Sequence, residues 1–432
     1  MPEEDLLSIE QIIRELDDVA ACGYQAVQIT APYKSAGFYP WWGLRPLDYF
    51  AVNQYLGDSV EDFRRLVVQC HQRDLYVMVF LNLGYADIDS ELWKKACRDR
   101  RSQKNSLESR YFLWSETGME GLLQEGNTHF KQGGSWQWSE EAQSYYWCFW
   151  KQDGIAEPQY NWADDGFRNY AGKILRFWLD FGIDGIILDA VNWYLNCDWQ
   201  IIRKYAVDVI HSYPDTFCVP EGGGGFGDDP MLWLKEGGFD GVEDQPFESD
   251  LHWNGSAIME AVLSGTVTNL ERRLSALDKV RQYGGIAWSY MGWGTEWTVR
   301  RRLLAIAVLI GTGHMTEIIQ SYLSEFEQKD YEALFSILRA GRYKGMAPAQ
   351  KRRRIKTCDD ISCYACICSE EHWPVICVYN FQNESREIAI SFENNQMEQS
   401  VQAFDLLNQQ FLSAERELNV ILPALGYGFY TL

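Results

Sequence analysis

Two acidic residues, Asp189 and Glu221, each follow directly on a short apolar run of the sequence. The runs read GIILD and FCVPE, and apolar runs of this length predict buried β-strands. Because successive side chains of a strand point to opposite faces, Ile187 shares a face with Asp189, and Val219 shares a face with Glu221. If the two runs are consecutive parallel strands, both carboxyl groups lie at the same end of one sheet.

A carboxyl pair in that position has a specific chemistry. Neighbouring strands are about 4.8 Å apart, which can bring the two groups to the roughly 5 to 5.5 Å typical of retaining glycosidases. One carboxylate then attacks the anomeric carbon, while the other donates a proton to the leaving oxygen and later activates water. The alternative interpretation is a solvent-exposed acid at each strand end, in a chain with 61 acidic residues. The residue pattern by itself leaves both interpretations open.

Alternating helices and short apolar strands are the elements that must position this pair. The alternation extends over roughly three hundred residues, which indicates a parallel sheet with crossover helices and predicts an α/β fold with a (β/α)8 TIM-type barrel. A doubly wound sheet would also alternate, but its glycine fingerprint is missing. Catalytic side chains of a barrel come from the C-terminal ends of its strands. The predicted helix and strand pairs are 6–19 with 26–30, 60–73 with 75–81, 167–181 with 185–191, 198–211 with 216–219, and 297–310 with 314–319.

Two changes of pattern predict the domain organisation. Between residues 83 and 163 the alternation gives way to a polar, Trp-rich stretch that is too long for an ordinary loop. We interpret it as a subdomain inserted into a catalytic barrel of residues 1–350. From residue 355 to 432, short alternating runs separated by polar turns predict a C-terminal antiparallel β-sandwich domain. The basic run 351–354 reads as a solvated linker and not as a nucleic-acid patch.

Charge and composition narrow the expected partners. A formal net charge of -22 opposes a phosphate backbone, so we expect a neutral substrate, or none, and no nucleic acid. No segment is both apolar and long enough to span a bilayer, and the opening MPEEDLLSIEQ lacks the basic and apolar regions of a secretory signal. We therefore expect no membrane partner and a cytoplasmic location, and an oligomer remains possible.

The cysteines favour reduced thiols over a disulfide framework, because eleven is an odd number and they are spread along the chain. Four of them, Cys358, Cys363, Cys366 and Cys368, lie close together in an alternating run. Zinc is one interpretation of this group, but small buried thiols on a strand are the simpler one. None of the six histidines has metal-ligand spacing, so we predict neither a metal nor a cofactor.

Longer stretches of the chain resemble the α-amylase superfamily of glycoside hydrolases. The stretch GYQAVQITAPYKS is similar to the second barrel strand of that family, and EPQYNWADDGFRNYAGKILRFWLDFGIDGIILDAV is similar to the stretch through its fourth strand. The run RRRLLAIAVLIGTGHMTEI resembles the seventh helix and eighth strand. The resemblance implies the barrel and the small β-domain, with Asp189 as the nucleophile and Glu221 as the general acid and base. The chain opens on what matches the first helix, without a clear first strand before it.

Several positions depart from the family pattern, and together they would form the wall that binds a glucose ring. Ile187 stands where the family has an arginine, and without this cation the pKa of Asp189 should be higher than in the family. A raised pKa of Glu221 beside an ionised Asp189 would mark the enzymatic interpretation. Glu296 is a possible third acid in place of a missing one. The other replacements are Phe80, Gly84 and Tyr85 near the third strand, Gly294 and Thr295 near the seventh, and Leu44 in place of the subsite tyrosine.

Aromatic side chains around the expected pocket can stack on sugar rings, although Trp and Tyr are also ordinary core and rim residues. The candidates for substrate binding are Trp41, Trp42, Tyr85, Trp193 and Trp293. A site that loses its partners for sugar hydroxyls loses transition-state stabilisation, so plain starch is not the expected substrate. We expect a retaining α-glycosidase or transglycosidase that acts on a small oligosaccharide or glycoside. The alternative is a catalytically silent amylase-like scaffold that serves as a carbohydrate-binding or protein-assembly partner.

Overall fold

The computed structural model describes twelve stretches of the chain, which contain all eleven cysteines, none of them in a disulfide. The chain packs as two compact units, Met1–Gly223 with Leu232–Asp240, and Gly224–Met231 with Gly241–Leu432. Among the described residues, no helix has both the length and the apolar character needed to cross a lipid bilayer. The described residues are 6–37, 42–57, 59–119, 134–222, 229–244, 257–290, 297–343, 346, 352–368, 374–391, 401–414 and 417–431.

Helices and short strands alternate through the first part of the chain, as the sequence predicts. The helices are α1 (Ile9–Cys22), α2 (Val60–His71), α3 (Glu91–Arg101), α4 (Leu107–Arg110), α5 (Asp165–Leu179), α6 (Trp199–Ile202), α7 (Asp208–Ile210) and α8 (Met231–Lys235). The strands are β1 (Ala26–Thr30), β2 (Tyr33–Ser35), β3 (Pro46–Val52), β4 (Tyr76–Leu81), β5 (Trp114–Ser115), β6 (Ser135–Ser139), β7 (Ser144–Gln152), β8 (Ile155–Pro158), β9 (Gly185–Leu188) and β10 (Phe217–Pro220).

A parallel sheet in the order β1, β4, β9, β10 forms the centre of the first unit. Leu188 at the end of β9 is in register with Leu81 of β4 and with Pro220 of β10. Every residue of β9 is buried, as in a strand that is covered on both faces. This register brings the C-terminal ends of β4, β9 and β10 to the same level of the sheet.

Local sequence signals explain where the helices next to this sheet begin and end. The side chains of Ser8, Ser59 and Asp164 each accept a hydrogen bond from a backbone N–H in the first turn of α1, α2 and α5. Such caps satisfy donors that have no partner inside the helix. Gly23 ends α1 in the left-handed conformation that glycine adopts without strain.

Two predicted elements differ from the structure. The strand predicted over 185–191 ends at Leu188, because Ala190 takes a left-handed conformation with φ of 46° and leaves the sheet. The helix predicted over 198–211 is divided into α6 and α7 by a π-helical turn at Arg203–Val207. Neither break has a glycine or proline that would announce it in the sequence.

The stretch between β4 and α5 contains its own small sheet, in which β5 and β6 flank β7 and β8 also pairs with β7. All of these pairs are antiparallel, and β2 and β3 form a separate antiparallel pair. Aromatic rings fill the interior beside it, and Trp93 of α3 stacks on Trp114 with ring centroids 5.1 Å apart. The Trp-rich composition of this stretch therefore serves packing at these positions.

The second unit contains three further parallel strands, β11 (Gly241–Glu243), β12 (Ile286–Tyr290) and β13 (His314–Glu317), in that order. The accompanying helices are α9 (Ala257–Ser264), α10 (Leu270–Gln282), α11 (Val299–Gly311) and α12 (Gln328–Gly341). Together the two units have seven parallel strands among the described residues, and α1 comes before the first of them.

A buried polar network lies within the second unit. Asp244, next to the end of β11, accepts hydrogen bonds from Arg273 (2.6 Å) and from His314 (3.1 Å). Burial raises the pKa of Asp244, but the charge of Arg273 and the hydrogen bond from His314 outweigh burial and hold that pKa at about 2. His314 is thus a packed residue in a salt-bridge network, as its isolated position in the sequence suggests.

The C-terminal part of the second unit is an antiparallel β-sandwich. One sheet has the order β14, β15, β16, β21, β18, β19, and the other pairs β17 with β20. Buried apolar side chains from both sheets form one cluster between them. The strands are β14 (Arg352–Ile355), β15 (Cys363–Cys368), β16 (Val375–Asn380), β17 (Arg386–Ser391), β18 (Val401–Asp405), β19 (Gln410–Ala414), β20 (Glu417–Leu422) and β21 (Tyr427–Thr431).

Candidate active site

Asp189 is the first residue after β9, and 6% of its surface is exposed. Its backbone N–H donates to the carbonyl oxygen of Leu81 at 2.9 Å, so the sheet holds the residue in place beyond the end of the strand. Ile187, in the same strand, pairs with Phe80 on one side and with Val219 on the other. These three residues are buried or nearly so, and the level of the sheet below Asp189 is therefore apolar.

Glu221 occupies the corresponding position after β10. Its backbone N–H donates to the carbonyl oxygen of Leu188 at 2.8 Å, and its carboxylate Oε2 accepts from the backbone N–H of Ala190 at 2.8 Å. Ala190 is in the left-handed region, which is strained for a residue with a Cβ and costs on the order of 1–3 kcal/mol. The strained turn directs an N–H group at the Glu221 carboxylate, so the two strand ends are joined.

The carboxyl groups of Asp189 and Glu221 lie close enough for their charges to interact. Burial raises the pKa of Asp189 well above its usual value, and the negative charge of Glu221 raises it further. Among the described residues no cation contributes to this shift, which agrees in direction with the apolar Ile187 that replaces the family arginine. A raised pKa favours the protonated form of Asp189, which is the reverse of the ionisation expected for a resting nucleophile.

Three buried tyrosines surround the acid pair. For Tyr33, Tyr85 and Tyr194, burial raises the pKa of the phenol first, and the charge of Asp189 is the next cause. The hydroxyl groups of Tyr33 and Tyr194 have no hydrogen-bond partner among the described residues. Buried hydroxyls without partners are costly, so these two are suited to bind the hydroxyl groups of a ligand.

Tyr194 also explains one departure from the family pattern. Its ring stacks on Trp162 at 5.0 Å between centroids, and a Cβ at Gly84 would lie 3.3 Å from the ring atom Cε1. A larger side chain at position 84 would therefore have to displace the tyrosine.

Asn192 is a buried residue of the site that the sequence analysis did not identify. It lies in the 3-10 turn Val191–Trp193 after Asp189, is 1% exposed, and neither its Oδ1 nor its Nδ2 has a hydrogen-bond partner among the described residues. A Cβ built on Gly222 would come within 2.4 Å of Asn192 Oδ1, which places the amide beside the residue that follows Glu221. The only signal in the sequence is its position three residues after Asp189.

The aromatic residues predicted to bind substrate are placed differently from one another. Tyr85 is buried and lies near the acid pair. Burial is the main cause that raises the pKa of its phenol, and the charges of Asp189 and Glu221 raise it further. Trp42 lies between β2 and β3 and is 48% exposed. Trp193 ends the turn that contains Asn192, and its carbonyl oxygen accepts a hydrogen bond from the side-chain amide of Gln159. Trp41, Trp293 and the possible third acid Glu296 lie outside the described residues.

A second buried charge cluster lies near the tyrosines. Arg45 donates from Nε to Glu157 at 3.2 Å, and its Nη2 lies 2.8 Å from Asp87 Oδ2. Burial raises the pKa of both carboxyl groups, and Glu157 also raises the pKa of Tyr85. One guanidinium between two buried carboxyl groups leaves an excess of negative charge that a bound proton can neutralise. The members of this cluster are far apart in the chain, so no spacing in the sequence reveals it.

Comparisons with known proteins identify the family and the fold. Residues 8–221 match the family model of the alpha amylase catalytic domain. An alpha-glucosidase of Schizosaccharomyces pombe is 29% identical over 193 residues, which are 43% of this chain and 31% of that protein. A trehalose-6-phosphate hydrolase of Bacillus subtilis is 27% identical over 185 residues, or 42% of this chain and 30% of that protein. The matched segment thus spans less than a third of these two relatives.

Solved structures are similar over nearly the whole chain. The trehalulose synthase MutB from Pseudomonas mesoacidophila MX-45 has a TM-score of 0.73 at 14% identity, covering 99% of this chain and 95% of that one. Amy13B of Eubacterium rectale has a TM-score of 0.74 at 15% identity, covering 99% and 92%. These likenesses confirm the predicted fold class, a TIM-type barrel with an inserted subdomain and a C-terminal antiparallel β-domain. The domain limits 1–350, 83–163 and 355–432 stay predictions.

Proposed function

Because the chain belongs to the α-amylase superfamily of glycoside hydrolases, as a divergent member, we propose that it is a retaining α-glycosidase or transglycosidase. Its proposed substrate is a small oligosaccharide or glycoside and not plain starch. The observation that carries this proposal is the position of Asp189 and Glu221, each directly after the end of one of two adjacent parallel strands in register.

The proposed reaction has two steps. A carboxylate oxygen of Asp189 attacks the anomeric carbon, and the carboxyl group of Glu221 gives its proton to the departing glycosidic oxygen. The bond from the anomeric carbon to the leaving group breaks as a covalent bond to Asp189 forms. Glu221, now a carboxylate, then takes a proton from water or from a sugar hydroxyl, which attacks the same carbon and releases Asp189.

This reaction requires one proton on the acid pair, and the proton must be on Glu221 when Asp189 attacks. Burial and the neighbouring carboxyl group raise the pKa of Asp189, which opposes its ionised form. Transfer of a proton from Asp189 to Glu221 produces the reactive form without changing the net charge of the pair. A glycosidic oxygen beside Glu221 would accept a hydrogen bond from the protonated form of that residue and so favour this transfer.

The surroundings of the pair favour a small substrate that differs from a glucan chain. Ile187, Phe80 and Leu44 are buried apolar residues where the family pattern has polar ones, so they offer no hydrogen bonds to an ordinary glucose ring. Tyr33 and Tyr194 offer unpaired hydroxyls instead. The alpha-glucosidase and trehalose-6-phosphate hydrolase among the relatives are consistent with a small glycoside.

A catalytically silent scaffold is the second candidate function. The raised pKa of Asp189, with no cation among its described causes, is the observation that favours it, because a protonated carboxyl group is a poor nucleophile. Such a scaffold would still bind a carbohydrate or a partner protein. The two functions differ in one measurable property, which is turnover that depends on both acids.

The test is a screen of the purified protein against aryl α- and β-glycosides and disaccharides. Wild type is compared with Asp189→Asn and Glu221→Gln, and with Glu236→Gln, an exposed acid of the same unit, as the matched control. Turnover that Asp189→Asn abolishes, that Glu221→Gln lowers most strongly on the disaccharides, and that Glu236→Gln leaves unchanged supports the glycosidase. A correctly folded wild-type protein without turnover on any substrate would favour the scaffold.

Azide distinguishes the roles of the two acids. In a retaining α-glycosidase that has lost its nucleophile, azide attacks opposite the leaving group and yields a β-glycosyl azide. Without the acid and base, azide attacks the covalent intermediate and yields the α-anomer. We therefore expect the β-product from Asp189→Gly and the α-product from Glu221→Gly, assigned by NMR. The reverse assignment would exchange the two roles.

We also propose a cytoplasmic location. None of the eleven cysteines forms a disulfide, although three thiol groups lie close enough together to react with one another. Such an arrangement favours a reducing compartment, because neighbouring thiols oxidise readily elsewhere. A fractionation experiment with an antibody against the protein tests this location.

A further inference from the structure

Three cysteines of the β-sandwich form a compact sulfur cluster. The Sγ atoms of Cys366, Cys368 and Cys377 all lie within 4.8 Å of one another. Cys366 and Cys377 are fully buried, and Cys368 is 5% exposed. Among the described residues, this is the group of His, Cys, Asp or Glu side chains whose donor atoms are close enough to hold a metal ion.

The cluster results from strand register. Cys366 of β15 is directly opposite Cys377 of β16 in an antiparallel pair, and Cys368 lies two residues further along β15 on the same face. Cys363, also in β15, lies on the other face and packs in the sandwich core. Proximity of Cys366 and Cys368 follows from the sequence, whereas Cys377 joins them only because β15 and β16 pair in this register.

We propose that Cys366, Cys368 and Cys377 bind a single soft d10 metal ion, Cu(I) or Zn²⁺, through their thiolates. A Zn–S bond is about 2.3 Å, so three sulfurs around one ion lie roughly 3.7 to 4.0 Å apart, a spacing that the cluster accommodates. Thiolates select these ions over hard cations. Three sulfur ligands complete the trigonal coordination of Cu(I), whereas a structural zinc site has a fourth ligand.

The C-terminal end of α11 lies against the cluster. The carbonyl oxygen of Gly311 is 3.1 Å from Cys368 Sγ and 4.0 Å from Cys366 Sγ. A Cβ at this position would come within 1.9 Å of the Tyr379 hydroxyl and 3.2 Å of Cys377 Sγ, so only glycine permits the approach. The carbonyl groups at a helix C-terminus attract positive charge, which favours a cation at this place.

The ligands are thiolates, so binding of the ion releases one proton from each protonated cysteine thiol of the cluster.

The enclosed position of the cluster determines how the experiment must be done. With every sulfur at most 5% exposed, the ion enters during folding or through local opening, so the full-length protein is refolded under reducing, anaerobic conditions. One sample contains Cu(I) supplied as a chelator complex, and another contains Cd²⁺ as a spectroscopic substitute for zinc. Metal retained after gel filtration is measured by mass spectrometry, and thiolate ligation by its charge-transfer absorption.

Variants identify the ligands. We expect about one retained ion per chain in the wild type and in Cys363→Ala, and at least a tenfold loss in Cys377→Ala. Cys363→Ala is a matched control, because Cys363 is equally buried in the neighbouring strand but faces away from the cluster. Retention of Cu(I) alone indicates a Cu(I) site. Retention of Cd²⁺ as well indicates a site that also accepts Zn²⁺.

The proposal is wrong if the refolded, reduced wild type retains no ion, or if Cys363→Ala loses as much as Cys377→Ala. An intact mass two daltons low before reduction, with a disulfide mapped to Cys366 and Cys377, would also overturn it. Circular dichroism confirms that each variant is folded. None of these readouts depends on glycosidase activity, so the outcome is independent of the proposed function.

Discussion

Gly222 connects the conformation of the backbone with the catalytic pair, and Gly222→Ala tests that connection. The residue follows Glu221 with φ of +83°, and an added Cβ would come within 2.4 Å of Asn192 Oδ1. A left-handed alanine costs about 1–2 kcal/mol, and the loss of unfolded-state entropy offsets roughly 0.4–1 kcal/mol of this. Relief of an overpacked contact adds about 1–3 kcal/mol. We therefore expect Gly222→Ala to lower the free energy of unfolding by roughly 2–4 kcal/mol.

Gly182→Ala is the matched control for the backbone contribution. Gly182 has nearly the same φ, +80°, and lies in the same unit, but an added Cβ would meet nothing within 4 Å. Its substitution should cost about 1 kcal/mol, which is the conformational part alone. Both free energies are measured by urea unfolding at pH 7.

Asn192→Ala completes a double-mutant cycle. This substitution removes the atom that the new Cβ would meet, so Gly222→Ala should cost no more in the Asn192→Ala background than Gly182→Ala does in the wild type. Because the buried Asn192 amide has no hydrogen-bond partner in the described part of the chain, we expect Asn192→Ala by itself to leave stability unchanged or to increase it. A coupling energy near zero between Gly222 and Asn192 would refute the assigned geometry.

Three further predictions concern the acids. Glu221→Gln should lower kcat about 10²–10⁴-fold on substrates with poor leaving groups and much less on activated aryl glycosides. Initial rates on the two kinds of substrate measure this difference, and equal losses on both would contradict an acid role. The pKa of Asp189 is higher in the folded than in the unfolded chain, so the unfolded chain loses the Asp189 proton at a lower pH. The free energy of unfolding should therefore fall as pH rises above about 4. Asp189→Asn should remove that slope from urea unfolding measured over a pH series, and an unchanged slope would assign it to another group. Asp244→Asn should destabilise the second unit by about 3–5 kcal/mol at pH 7, because Arg273 and His314 lose their buried partner. The wild-type contribution of Asp244 is present above its unfolded pKa near 3.8 and should disappear as pH falls towards 2, which thermal unfolding between pH 2 and 7 measures.

The sequence by itself determined the order and type of the elements around the site. Apolar periodicity, caps such as Ser59 and the helix stop at Gly23 are local signals, and local signals can be read without knowing the fold. Strand β1 has the bounds 26–30 that its apolar run predicts. The positions of Asp189 and Glu221 at strand ends followed from the same periodicity.

Only the tertiary structure decided what those positions do. The proximity of Asp189 and Glu221 depends on β9 and β10 being neighbours in register, and the raised pKa of Asp189 depends on burial. The turn at Ala190 and the unpaired amide of Asn192 left no periodic trace in the sequence.

The sulfur cluster shows the same division most directly. The sequence places Cys363, Cys366 and Cys368 on one strand, with Cys358 close to them in the chain. Alternation puts Cys363 on the opposite face from Cys366 and Cys368. The structure leaves Cys358 exposed and brings Cys377 from the next strand to the other two. Alternation along one strand is a local property that residue spacing reveals, whereas the register between two strands is fixed by the packing of the whole sandwich.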